Sequence, residues 1–331
     1  MQPLAGALVI DLTRYLPGAF AARELRRLGA RVVHVEAPEG DPLRATAPSW
    51  DAHLRAGTES VVCDFKHEAP FAQALCAQGD VVLEGFRPGV AGRLGIGPDD
   101  VPEKTIYCSI TGFGAETRHA LRAGHDLNYL GFAGALEDTA PALPPIQVAD
   151  LAAGGLGAVI QILAALLERE RSGKGTRLVI SMTHRAHDLV AHRLCEAPLP
   201  RLLTGGLACY RMYATSDGRH LTVAALEPRF FGRLCEFLER PVLAERQYGP
   251  DQEELAGELA SLLATRSLAD WLELFDGEDV CVGPVSTLAE AAAEFSHTGA
   301  EPPAPKIGEH TLFWRYALGL EQRSETPSGG R

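Results

Sequence analysis

The opening thirty-six residues place the strongest limit on what this chain can fold into. Ala7 to Leu12 is a short apolar strand, Pro17-Gly18 opens a helix that runs through Arg27, Gly29 caps it, and Arg31 to Glu36 is the next strand. Proline in the first turn and glycine past the last one mark the two ends of a helix. Ser60 to Phe65, Val81 to Glu84 and Ile106 to Thr111 read as further strands, with helical or turn-rich segments between them. Asp150 to Arg171 reads as a long helix, Ser172-Gly173-Lys174-Gly175 as a turn and Arg177 to Met182 as a strand. Alternation of this kind predicts an α/β fold, a Rossmann-like and mostly parallel sheet.

Near residue 200 the texture changes. Tyr210 to Ala214, the turn Ser216-Asp217-Gly218 and His220 to Ala224 read as a β-hairpin, followed by helical patterns over Pro228 to Leu238, Gln252 to Thr265 and Ser267 to Phe275. The expected organisation is a large α/β domain over 1–195, a smaller α+β domain over 205–298, and a Pro-rich linker with a frayed tail over 299–331. A chain of 331 residues can bury the core of one large domain or of two.

A net charge of -12 argues against a nucleic-acid partner. The 7 cysteines are scattered, odd in number and without a CxxC pair, which predicts reduced thiols in a cytoplasmic protein and no metal site. The start of the chain has an early Asp and Arg and no long apolar run, so no secretory signal is expected. The most apolar stretch, Leu151 to Leu167, ends in Glu168-Arg169-Glu170-Arg171 and is short for a bilayer; a buried helix is expected there, and no membrane partner.

The strand–helix–strand opening ends in an acid, Glu36, as a dinucleotide-binding unit would. Only Gly18 stands in the first turn, however, where G-x-G-x-x-G is needed, so a nicotinamide or flavin site is not expected. Ser172-Gly173-Lys174-Gly175 follows a helix and precedes a strand, the reverse of a phosphate loop. Two segments carry more chemistry. Ala123 to Leu130 sets His125 among small and turn-forming residues, and Val148 to Gly155 sets Asp150 before a glycine-rich helix start. An imidazole and a carboxylate are the equipment for two-base proton transfer at an acidic C–H, with the helix N-terminus at Gly154 and Gly155 offering N–H donors to an enolate. Each residue also has a plainer reading: His125 as a structural histidine, Asp150 as a helix N-cap. Glu227, between a strand and a helix-starting Pro228, is either exposed or turned inward as a histidine partner.

With these residues in place, the chain resembles the family III CoA-transferase superfamily (CaiB/BaiF type), and within it α-methylacyl-CoA racemases. The likeness runs from Leu4 to about Pro284, and Ile307-Gly308-Glu309-His310-Thr311 belongs to it as well. It is carried by Leu83-Glu84-Gly85-Phe86-Arg87-Pro88-Gly89-Val90, Thr111-Gly112-Phe113-Gly114, Ala123 to Tyr129, Ala149-Asp150-Leu151, Ala225-Leu226-Glu227-Pro228 and Asp279 to Val285, in that order and spacing. The resemblance implies that His125 and Asp150 are the catalytic acid/bases of a cofactor-independent racemase acting α to a CoA thioester, the CoA being part of the substrate. It implies a homodimer of interlocked chains, with Glu227 orienting His125 across it. Cys63, Asp64, Phe65 and Lys66, then Gly124, Asp126, Leu127, Asn128 and Tyr129, match the CoA-contacting stretches, with Arg87 as an added positive charge. Two other readings share the fold: a CoA transferase using Asp150 as nucleophile, and a non-catalytic acyl-thioester-binding homologue. The chain departs from the family at Ala37, Thr58 and Glu59, where basic residues are usual. That leaves Arg14, Arg44 and Arg55 as other candidates to hold a nucleotide.

Overall fold

The computed structural model describes residues 1–194, 201–295 and 301–321. They form two compact units, one built from 1–192 together with 301–321, the other from 193–295.

The first unit is a six-stranded, fully parallel sheet: β1 (Leu8–Asp11), β2 (Arg31–Glu36), β3 (Glu59–Val62), β4 (Val81–Glu84), β5 (Ile106–Thr111) and β6 (Arg177–Ser181), in the spatial order β3-β2-β1-β4-β5-β6. The strands read as nearly unbroken apolar runs because both faces are covered. Adjacent residues serve opposite faces, as a two-residue period requires: Val9, Val32 and Val81 pack with Leu25, Ile106 and Ile162, while Ile10, Val33 and Val82 pack with Phe71, Leu75 and Trp314. The helix Leu16–Arg27 follows β1, with Pro17 in its first turn. The long apolar helix begins as a π-helix over Ala149–Leu156 and continues as an α-helix over Gly157–Ser172. By length and composition it is the single candidate membrane span among the described residues, and half of its apolar window is buried against the protein. Ala153, Ala158, Ile162 and Ala165 face the core, while Ile160 and Leu167 are exposed.

The second unit pairs β7 (Tyr210–Ala214), β8 (His220–Ala224) and β9 (Val282–Pro284) antiparallel. Its hairpin turns at Gly218, which takes φ +74°. Its core gathers Leu221, Val223, Phe231, Leu234 and Trp271, the last stacked on Phe275 at 5.5 Å.

One expectation is corrected. Residues 301–321 are neither linker nor tail. The outer edge of β3 would leave its backbone groups bare, and this segment covers it. His310 N–H donates to Ser60 O (2.9 Å), Thr311 Oγ1 accepts from Val62 N–H (2.9 Å), and Pro303 O accepts from Gly57 N–H (3.1 Å). The short helix Thr311–Ala317 then buries Trp314. The expected fray at Ser324 to Arg331 lies outside the described residues.

Candidate active site

In an open parallel sheet, ligands bind beyond the carboxyl ends of the strands where the strand order reverses. Here that point lies between β1 and β4. At three neighbouring strand ends a polar side chain turns back onto the loop that follows, holding it against the sheet. Asp11 accepts from Thr13 N–H (2.9 Å), Glu84 from Phe86 N–H (2.6 Å) and Thr111 from Gly114 N–H (3.0 Å). These loops wall a cavity of about 360 Å³. Thr13 to Tyr15, Gly85 to Pro88 and Gly112 line it, with Arg122 to His125, Tyr129 and Met182 closing it. His125 and Asp150 both open into it.

His125 stands at the N-cap of the helix Asp126–Phe132, where its own N–H is held by Asn128 Oδ1 at 3.1 Å. That leaves its exposed ring against Tyr15, centroids 5.9 Å apart and nearly perpendicular. Asp150 is not an N-cap. It is the second residue of the π-helix, and its backbone N–H donates to Asp126 Oδ1 at 2.9 Å. Asp126 is thus the residue that satisfies the helix start. This corrects two expectations. Asp126 is buried and does not line the cavity, and Gly154 and Gly155, the expected N–H donors to an enolate, lie inside the π-helix Ala149–Leu156 rather than at its N-terminus. The glycines have a packing role instead. A methyl group on Gly154 would lie 3.0 Å from Met182, and one on Gly155 would lie 2.8 Å from Phe20.

Burial pushes the Asp150 carboxyl up to about 7, and the neighbouring Asp126 charge adds to the shift. Both ionisation states are therefore well populated at neutral pH, which suits a group that must take and return a proton. Burial likewise raises Asp126, whose hydrogen bonds from the helix start partly offset it. Tyr129, pushed up to about 12 by burial and the two carboxyls, keeps its proton and donates it to Gly124 O at 2.5 Å.

The other expected site residues divide. Arg87, Gly124 and Tyr129 line the cavity; Leu127, Asn128 and the run Cys63, Asp64, Phe65, Lys66 do not. Phe65 reaches the rim indirectly, its ring 5.8 Å from that of Phe86. Asp64 caps its own turn through Lys66 N–H (3.0 Å), and Cys63 is fully buried. Glu227 belongs to the second unit, exposed at the N-cap of the helix Pro228–Phe237. Of the other cations considered, Arg14 lines the cavity, but Arg44 and Arg55 are committed elsewhere, to Glu36 and to Asp11 with Asp41. Glu36 in turn is filled by Arg44 and Ser60, so it is not waiting for a ribose. Glu59 is bound by Arg31 and by the Trp314 indole N–H at 2.8 Å, and Thr58 is buried. Sequence reasoning missed Tyr15 and Arg122. Arg122 had a signal, lying three residues before His125; Tyr15 had none, because its φ of +62° is rare outside glycine.

The profile of CoA-transferase family III matches residues 4–311. The chain belongs to CoA-transferase family III. It is 33% identical to the α-methylacyl-CoA racemase of Mus musculus over 96% of this chain and 94% of that protein. It is 31% identical to the succinyl-CoA:glutarate CoA-transferase of the same animal over 93% of this chain and 79% of that one. The crystal structure of Rv3272 from Mycobacterium tuberculosis superposes with a TM-score of 0.81 at 29% identity, covering 95% of this chain and 99% of that one. The family III fold, a six-stranded parallel sheet with a smaller antiparallel one, is the α/β class expected.

Proposed function

We propose that this chain is an α-methylacyl-CoA racemase-type isomerase that moves the α-proton of a 2-methylacyl-CoA, or a related thioester, between two faces through an enolate. The supporting observation is that His125 and Asp150 open into one cavity with the Asp150 carboxyl poised near neutrality. Neutral His125 takes the proton from one epimer while protonated Asp150 returns one to the opposite face; for the other epimer the roles exchange. Arg14, Arg87 and Arg122 ring the cavity and offset the negative charge of a phosphorylated thioester and its enolate. In this reading Glu227 orients His125 across a homodimer, the turn from Asp64 to Lys66 contacts the CoA outside the cavity, and no added cofactor or metal takes part.

Transfer of CoA is the second reading, because relatives that transfer CoA match at similar identity and a cavity-facing Asp150 can serve as nucleophile. Incubating a single epimer of a 2-methylacyl-CoA with the protein in D2O separates the two. Racemisation places one deuterium at the α-carbon and scrambles its configuration. Transfer leaves that carbon untouched, moves CoA to an added carboxylate, and lets hydroxylamine trap Asp150 as a hydroxamate, an outcome that would overturn the racemase reading.

A further inference from the structure

The loop from Thr13 to Tyr15 forms part of the cavity wall, and both its ends are held by carboxylates that one buried guanidinium bridges. Asp11 Oδ1 accepts from Thr13 N–H at 2.9 Å and from its hydroxyl at 2.6 Å. Asp41 Oδ2 accepts from Tyr15 N–H at 3.1 Å. Arg55 donates from Nη1 to Asp11 Oδ2 at 2.7 Å and from Nη2 to Asp41 Oδ2 at 3.1 Å. Arg55 and Asp11 are each 0% exposed. Around this bridge, His34 Nδ1 lies 3.1 Å from Asp11, Arg44 joins Glu36, and the buried Asp51 stands 3.7 Å from Arg55 Nε and 3.6 Å from Arg44 Nε.

A buried ion cluster is a weak way to gain stability, since desolvation offsets most of the attraction. What this one secures is a geometry. Tyr15 sits at φ +62°, where a residue with a Cβ is strained and stays only if its surroundings hold it. Its N–H is one of the two loop N–H groups the carboxylates hold, and its ring meets His125 edge to face at 5.9 Å.

We propose that Arg55 is a positioning residue of the site: by bridging Asp11 and Asp41 it fixes the Thr13–Tyr15 loop, and the Tyr15 ring in turn sets the orientation of the His125 imidazole. The inference rests on His125 being the reacting imidazole, so its test begins with a readout that needs no substrate. Lysine keeps the charge of Arg55 but cannot span two carboxylates as a planar fork does. Glycine accepts the backbone of Tyr15 without strain and removes the ring.

In protein labelled at histidine, the ring resonances of His125, assigned by their loss in His125→Gln, are compared across Tyr15→Gly, Arg55→Lys and Asp41→Asn. The expected result is that Tyr15→Gly moves the His125 resonance. Arg55→Lys and Asp41→Asn move it the same way, while His310, at the outer edge of β3, stays in place. On the thioester, Arg55→Lys lowers kcat roughly tenfold with KM nearly unchanged, the signature of a misoriented group rather than lost binding. A His125 resonance that stays put in Tyr15→Gly, or in the folded clamp variants, overturns the proposal. So does an unchanged kcat in Arg55→Lys. If Arg55→Lys does not fold, Tyr15→Gly and Asp41→Asn carry the same comparison. A parent protein inactive on every thioester defeats the functional reading alone and leaves the clamp to the resonance.

Discussion

At the scale of single residues, the proposed racemisation turns on one carboxyl. With its midpoint pushed up to about 7, Asp150 carries or lacks a proton with little bias at neutral pH, and either direction needs one proton shared between it and His125. On that reading the two epimers share one bell-shaped kcat/KM profile, because the ratio of the two values is an equilibrium constant that does not depend on pH. Initial rates from each pure epimer between pH 5 and 9 check this, and a profile flat over that range would count against two-base chemistry. Replacing Asp126 with Asn removes the second cause of the shift and moves the profile to lower pH. Linkage gives a matching stability effect. A carboxyl raised on folding binds its proton more tightly in the native state. Its contribution is therefore full below about pH 4 and is lost as pH climbs to about 7. In Asp150→Asn that loss is absent, so its thermal midpoint gains on the parent's across this window, by about 2 °C or more at pH 8 as read by calorimetry. His125 and Asp150 were legible in the sequence as chemistry-bearing types in small-residue settings. That Asp126 caps the helix was not, because the bond joins residues 24 apart in the chain.

Among the elements, strands were read more surely than helix starts. β2, β4, β5, β7 and β8 stand at the residues their apolar runs indicate, since burial on a sheet leaves a plain mark on composition. The helix after Val148 was expected from its apolar run, but its first two turns are π rather than α, and no propensity encodes that. Close packing around those turns explains the glycines. Gly155→Ala pushes a methyl against Phe20 and the Pro17 carbonyl and is expected to cost about 1–3 kcal/mol in urea unfolding. Gly131→Ala, in the helix behind His125 with nothing within 4 Å of the new methyl, is expected to add about 0.5–1 kcal/mol in the same assay. The pair separates crowding from helix propensity.

For the molecule as a whole, two units were legible from the change of texture near residue 200, but the destination of the last segment was not. Pro-rich composition says only that a segment is not helical. It does not say which strand edge waits for it. Trp314 joins the core beneath β3 at 5% exposure, with its indole N–H bound to Glu59 and Arg31 stacked over its ring at 4.8 Å. Trp314→Ala is expected to lower stability by about 3–5 kcal/mol, measured by urea unfolding. The segment's place in the chain has a consequence in time. The edge strand β3 leaves the ribosome some 250 residues before the His310 that covers it, with the whole second unit synthesised in between. For that interval a nascent chain carries a bare strand edge, the surface through which incomplete sheets pair with one another. The order of synthesis, rather than the finished fold, sets when this chain most needs a chaperone.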